Sequence, residues 1–179
     1  MAELIPDELG AAAPARRGAA RLLGHIVTWW SMAGGMVFVA LVLMSLVSIV
    51  GRKLFATPIE GDMELMMMGA AIGSAAFLPV CEMEDHHIKV DALTTWMGAR
   101  GQAILDTLAH GLMAAAAGVL AWRTALYTIE ARENMEVSAL LLVPLWQPVM
   151  LLVPSFVLLC LTALYRAKLS LNNLTGGQP

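Results

Sequence analysis

Charged residues are scarce in this chain, and their scarcity excludes an ordinary soluble fold. Asp, Glu, Lys and Arg make up 14% of the 179 residues, whereas apolar residues make up 59%. A typical soluble domain has about a quarter charged residues, so this chain could not cover a globular surface with polar groups. The net charge of −3 comes without a basic face, which gives no reason to expect a nucleic-acid partner.

Cysteines and catalytic motifs are scarce as well. The two cysteines, Cys81 and Cys160, lie far apart in the sequence, and we expect reduced thiols rather than a disulfide. The chain contains no P-loop and no dinucleotide-binding fingerprint. No Ser, His and Asp follow one another in an order that would place a catalytic triad on one membrane face. We therefore expect no enzymatic activity.

Long apolar runs are what the chain has in abundance. Each of four runs approaches or exceeds the ~20 residues that a helix needs to cross a bilayer. They cover residues 25–50, 63–81, 103–127 and 140–165. The sequence therefore predicts an all-α integral membrane protein with four transmembrane helices. Its predicted parts are a tail at 1–22, a transmembrane domain at 23–168 and a C-terminal tail at 169–179.

The segment between the second and third runs predicts a short amphipathic helix on the membrane surface. From residue 86 to residue 98, apolar side chains recur at helical spacing, with polar side chains on the other side. The preceding residues 82–87 cluster carboxylates and imidazoles, which are ligands for transition metals. Adjacent histidines chelate a single ion poorly, so we interpret the cluster as a hydrated acidic turn and predict no metal site.

Small residues and methionines within the runs predict close helix packing rather than a metal-binding site. Gly69 and Gly73 are four residues apart, a spacing that lets another helix approach closely. The alanines at 114–117 predict the same for the third run. The methionines at 63 and 66–68 suit flexible packing better than copper binding, because no cysteine pair lies nearby.

Several ionisable residues lie within or beside the runs. Glu64 begins the second run, and Arg52, at the other end of the same short connection, is its obvious partner. The alternative is that Glu64 simply extends into water at the membrane edge. His110 and Asp106 share one face of the third run, and we expect them to pair with each other or with another helix. A bis-histidine haem site would need His25 opposite His110.

The distribution of positive charge predicts the orientation. The two tails and the middle loop lie on one side of a four-span chain and hold seven of the 11 Lys and Arg residues: Arg16, Arg17, Arg21, Lys89, Arg100, Arg166 and Lys168. The opposite side holds the other four: Arg52, Lys53, Arg123 and Arg132. Since positive loops stay in the cytoplasm, both termini are predicted to be cytoplasmic.

Three short motifs mark the ends of the predicted spans. The first joins Arg52-Lys53-Leu54-Phe55 to Pro58, Gly61 and Glu64. The second is His87-Ile88-Lys89-Val90-Asp91. The third combines Ser138, Leu140, Pro144 and Trp146. In this order the motifs resemble those of the small, four-span, Q-type membrane subunit of tripartite ATP-independent periplasmic (TRAP) transporters, over roughly residues 25–165.

The resemblance implies a bacterial inner-membrane subunit without cofactor or metal, embedded in the lipid bilayer. Such a subunit would scaffold a large multi-span transport subunit. A periplasmic binding protein would deliver a carboxylate, such as a C4-dicarboxylate or a sugar acid, and a sodium gradient would drive uptake. The candidate structural or partner-contact residues are Arg52, Pro58, Gly61, Glu64, His87, Asp91, Pro144 and Trp146.

Two other classes of function stay open at this point. A four-helix membrane anchor of a respiratory oxidoreductase would hold haem or quinone and would show Soret absorbance. A stand-alone structural or channel-like protein would purify as a homo-oligomer. A transporter subunit would instead be colourless and would co-purify with a much larger membrane protein.

Overall fold

A computed structural model describes residues 18–55, 60–84 and 99–175 of the chain. Within these residues lie four long helices: α1 (Gly18–Phe55), α2 (Asp62–Met83), α3 (Ala99–Glu133) and α4 (Trp146–Thr175). All four are long and apolar enough to cross a membrane. The prediction of an all-α protein with four membrane spans is therefore confirmed. The predicted surface helix at 86–98 lies outside the described residues.

The fourth helix begins later than the apolar run that predicts it. That run starts at residue 140, whereas α4 starts at Trp146. Residues 134–145 form a loop instead, in which Val137 and Pro144 make an isolated antiparallel bridge. A proline disfavours helical geometry at the residue before it, so Pro144 separates the apolar loop from the helix that follows.

The helices pack in the order α1, α2, α4, α3 across the bundle. Helix α1 packs mainly on α2, α2 also packs on α4, and α4 packs extensively on α3, while α1 meets α4 at few points. We call the end that carries the α1–α2 and α3–α4 connections the loop end. The opposite end, where α1 begins and α4 finishes, is the terminus end.

Glycines bring α1 and α2 into close contact. A Cβ placed on Gly34 would lie 2.6 Å from the Cβ of Ala76, and one placed on Gly73 would lie 2.6 Å from Cε2 of Phe38. Phe38 in turn stacks on Phe77, with ring centroids 6.0 Å apart. The close approach that the small residues of the second run predict is therefore made against α1.

Helices α3 and α4 meet along the alanine-rich face of α3. Ala114 and Ala117 are buried there, and the Cys160 thiol lies 3.4 Å from the carbonyl oxygen of Ala114. The Trp30 indole N–H donates to the Ser155 hydroxyl at 2.8 Å and so links α1 to α4. Many large apolar side chains remain exposed on the outside of the bundle, as a lipid-facing surface requires.

Candidate functional site

The loop between α3 and α4 has a defined backbone conformation. The Ser138 amide donates to the Val143 carbonyl at 2.9 Å, and the Leu145 amide donates to the Glu136 carbonyl at 3.0 Å. Leu142 lies between these bonds with a φ of 53°, in the left-handed region that non-glycine residues seldom adopt. The two bonds close the loop, and the unusual φ at Leu142 makes the turn between them.

Glu64 holds this loop from the first turn of α2. Its Oε1 accepts the Leu140 amide at 2.9 Å, and its Oε2 accepts the Leu141 amide at 3.1 Å. The Ser138 hydroxyl also bonds to the carboxylate. One carboxylate thus satisfies two backbone donors more than 70 residues away in the chain, and bonds to an ionised acceptor are stronger than neutral ones.

Gly61 provides the space into which the same loop packs. Its φ of 73° is left-handed, and a Cβ there would collide with the side chain of Leu141. Glycine is therefore favoured at this position for two reasons, because an L-residue would be strained by the backbone angle and obstructed by Leu141. We call Gly61, Glu64, Ser138, Leu140 and Leu141 the Glu64 clamp.

Arg52 does not partner Glu64, which corrects the expectation from the sequence. Its guanidinium instead lies 3.6 Å from Asp62 Oδ2, with the Arg52 side chain largely exposed. The same carboxylate oxygen accepts the hydroxyl of the buried Ser48 at 2.6 Å. Glu64 is therefore neither the partner of Arg52 nor simply extended into water, since backbone amides of the distant loop bind it.

The remaining residues singled out by motif divide into two groups. Pro144 closes the α3–α4 loop through its bridge to Val137, and Trp146 begins α4. The guanidinium carbon of Arg132 lies 5.6 Å from the centre of the Trp146 ring, which is a cation–π distance. Pro58, His87 and Asp91 lie outside the described residues.

Toward the terminus end of the bundle, a polar contact joins α2 to α3. Glu82 is 1% exposed, and its Oε1 lies 2.6 Å from Nδ1 of His110. The sequence predicts that His110 pairs with Asp106 or with another helix. In the structure its partner on another helix is Glu82 of α2. The picture of a hydrated turn at 82–87 is wrong for Glu82, which belongs to the last turn of α2 and faces inward.

From the sequence, one residue of this pair, His110, can be predicted to have a buried partner, whereas Glu82 cannot. Ionisable residues inside membrane spans are rare and generally face the bundle interior with a partner. His110 was recognised on this ground, but Glu82 lies at the end of an apolar run beside other acids, where an exposed side chain is the ordinary interpretation. Among the described residues, no group of three or more His, Cys, Asp and Glu is arranged to hold a metal ion.

Comparison with known proteins gives one family. Residues 41–172 match the family described as tripartite ATP-independent periplasmic transporters, DctQ component. No curated protein and no solved structure gives a significant match to the chain. The matched region runs from the second half of α1 to near the end of α4 and includes every residue of the Glu64 clamp. The chain therefore belongs to the DctQ component family of the tripartite ATP-independent periplasmic transporters.

Proposed function

We propose that the chain scaffolds the large transport subunit of its transporter and holds it at a fixed position in the membrane. The large subunit would carry out cation-driven uptake of a carboxylate that a periplasmic binding protein delivers. The Glu64 clamp is the observation that carries this proposal, because it ties the two connections of the loop end into one unit. A static support requires such coupling between its parts.

The close contact between α1 and α2 supports the same role. Glycines at 34 and 73 leave no room for a Cβ between these helices, and interfaces of this kind leave little freedom for sliding. The exposed apolar side chains on the outside of the bundle offer a broad surface for lipid and for a membrane partner. The bundle thus combines closely packed helices α1 and α2 with an apolar outer surface that can contact lipid or a membrane partner.

The proposed location is the bacterial inner membrane with both termini in the cytoplasm. The distribution of Lys and Arg over the predicted loops supports this orientation. It places the Glu64 clamp at the periplasmic surface, where a binding protein would dock. The loop presents Leu140 and Leu142 there, with 70% and 67% of their surfaces exposed.

The decisive test is co-purification combined with uptake. The tagged chain, expressed with its neighbouring transporter genes and extracted in mild detergent, should bring down a much larger membrane protein. Cells or proteoliposomes carrying Glu64→Ala should take up labelled C4-dicarboxylates or sugar acids more slowly than wild type, because the loop that Glu64 holds is released. Glu60→Ala is the matched control, since Glu60 is an exposed acid in the turn just before α2.

The outcomes separate the parts of the proposal. Normal uptake and normal complex assembly in Glu64→Ala would remove the clamp from the mechanism. A homo-oligomer without a large partner would contradict the scaffolding role. A Soret band in the purified protein would favour the respiratory anchor instead.

A further inference from the structure

A groove on the outside of the bundle lies where α3 ends and α4 begins. Its volume is about 490 Å³, and its walls include Ile129, Arg132, Glu133, Trp146 and Met150. Glu133 is the last residue of the third candidate span and Trp146 the first of the fourth. The groove therefore lies at the loop-end edge of the two candidate spans, and tryptophan is enriched where hydrocarbon meets headgroups.

The polar part of the groove carries one positive and one negative group side by side. The Arg132 guanidinium carbon lies over the Trp146 ring, 5.6 Å from its centroid, and within the described part of the chain the guanidinium forms no salt bridge with a carboxylate. A guanidinium carries five N–H donors, and a cation–π contact does not use them as hydrogen bonds to a carboxylate or phosphate would. The adjacent Glu133 is exposed and can accept hydrogen bonds from a cation.

The apolar part of the groove suits a hydrocarbon chain. Ile129 and Met150 form walls that run from the polar groups toward the middle of the spans. Methionine adapts its shape to an irregular apolar partner. A ligand that fits therefore has a phosphate and a primary ammonium at one end and an acyl chain at the other.

We propose that this groove binds a phospholipid with an ethanolamine headgroup, its phosphate on Arg132 and its ammonium on Glu133. A phosphatidylglycerol carries a net negative charge that Glu133 would repel. A phosphatidylcholine has no N–H to donate to that carboxylate. This inference depends on the chain spanning a membrane and not on the scaffolding role proposed above.

The proposal is tested by native mass spectrometry of the full-length chain in mild detergent. Dioleoyl-phosphatidylethanolamine, -phosphatidylglycerol and -phosphatidylcholine are added separately, and bound adducts are titrated. The ethanolamine lipid should bind tightest. Arg132→Gln should weaken its binding about fivefold, the effect of one exposed ion pair. Glu133→Gln should remove its advantage over the choline lipid and should strengthen binding of the glycerol lipid.

Two variants on the same helix serve as controls. Arg123→Gln and Glu130→Gln change exposed charges that do not line the groove, so both should bind the three lipids as wild type does. Equal affinity for the three lipids, or unchanged affinity in Arg132→Gln, would overturn the proposal. If Arg132→Gln does not purify, Arg132→Lys replaces it in the test. Lysine keeps the positive charge but lacks the planar guanidinium, so this variant should weaken binding of the ethanolamine lipid, but by less than fivefold.

A second measurement on the wild-type chain needs no variant. A photoactivatable phosphatidylethanolamine in nanodiscs should crosslink to peptides within residues 128–150. Crosslinks found only elsewhere would refute the site. Loss of these crosslinks in the assembled complex or in a homodimer would show that a protein, rather than lipid, occupies the groove, and would refute it equally.

Discussion

The two ends of the helical bundle are held by different kinds of bond. At the loop end, the carboxylate of Glu64 binds backbone amides of the α3–α4 loop. Toward the terminus end, the carboxylate of Glu82 binds the imidazole of His110 inside the bundle. The first arrangement fixes the shape of a connection, whereas the second fixes the relative position of two helices.

The difference reflects the surroundings of each carboxylate. Glu64 lies at the membrane edge, where loop amides that no helix satisfies are available to it. Glu82 is buried, where a polar group without a partner would be costly. Helices α2 and α3 have few other contacts, so the side-chain pair carries much of their mutual positioning. Each end can be weakened separately, which makes the contrast testable.

The largest effect is expected at the terminus end. Glu82→Ala removes this buried hydrogen-bond partner of His110, and losing one partner of a buried hydrogen bond costs about 1–3 kcal/mol. The melting temperature of the purified protein, followed by scanning fluorimetry in detergent, should fall clearly. Glu130→Ala, an exposed acid on α3, should leave it unchanged.

The double variant Glu82→Leu/His110→Leu sharpens this prediction. Replacing both partners with apolar residues removes both buried polar groups and should recover most of the lost stability. A double variant that melts as low as Glu82→Ala would show that the hydrogen bond itself, rather than the cost of leaving one buried polar group behind, holds the helices together.

A smaller effect is expected from Gly61→Ala at the loop end. The substitution forces an L-residue into a left-handed conformation, at a cost of about 1–2 kcal/mol, and pushes against Leu141. The melting temperature should fall by less than in Glu82→Ala. Gly111→Ala is the matched control, because a Cβ there meets nothing within 4 Å and alanine favours a helix. A neutral Gly61→Ala would mean that the turn adjusts freely.

The smallest effect is local and concerns the amides that Glu64 binds. Glu64→Ala should speed hydrogen exchange at Leu140 and Leu141 while leaving exchange in the middle of α2 and α4 unchanged. Arg52→Gln should leave the same two amides unaffected, because Arg52 pairs with Asp62. Equal acceleration in both variants would indicate that the whole loop end acts as one electrostatic unit.

The sequence was sufficient for much of the fold. Four runs of about 20 apolar residues leave a chain few alternatives to four helices, because every backbone polar group in lipid must be satisfied within its own segment. The spacing of Gly69 and Gly73 was likewise enough to predict a tightly packed helix face. The start of α4 was missed because residues 140–143 are as apolar as a helix and only the structure shows them as a loop.

The partners of the ionisable residues could not be predicted in the same way. Arg52 and Glu64 are close in sequence and opposite in charge, so pairing them was reasonable. The α3–α4 loop, however, brings two amides to Glu64 from more than 70 residues away, and hydrogen bonds to backbone leave no mark in side-chain patterns. Glu82 and His110 likewise meet only because α2 and α3 lie side by side.

Hydrophobicity alone decided that this chain enters the membrane and how many times it crosses, since transfer of an apolar run into lipid depends on the run and not on its neighbours. The family motifs are equally local and could be recognised residue by residue. Which carboxylate binds which donor was decided only by the packed bundle. Hydrogen bonds act over about 3 Å, and only the tertiary arrangement brings distant groups that close.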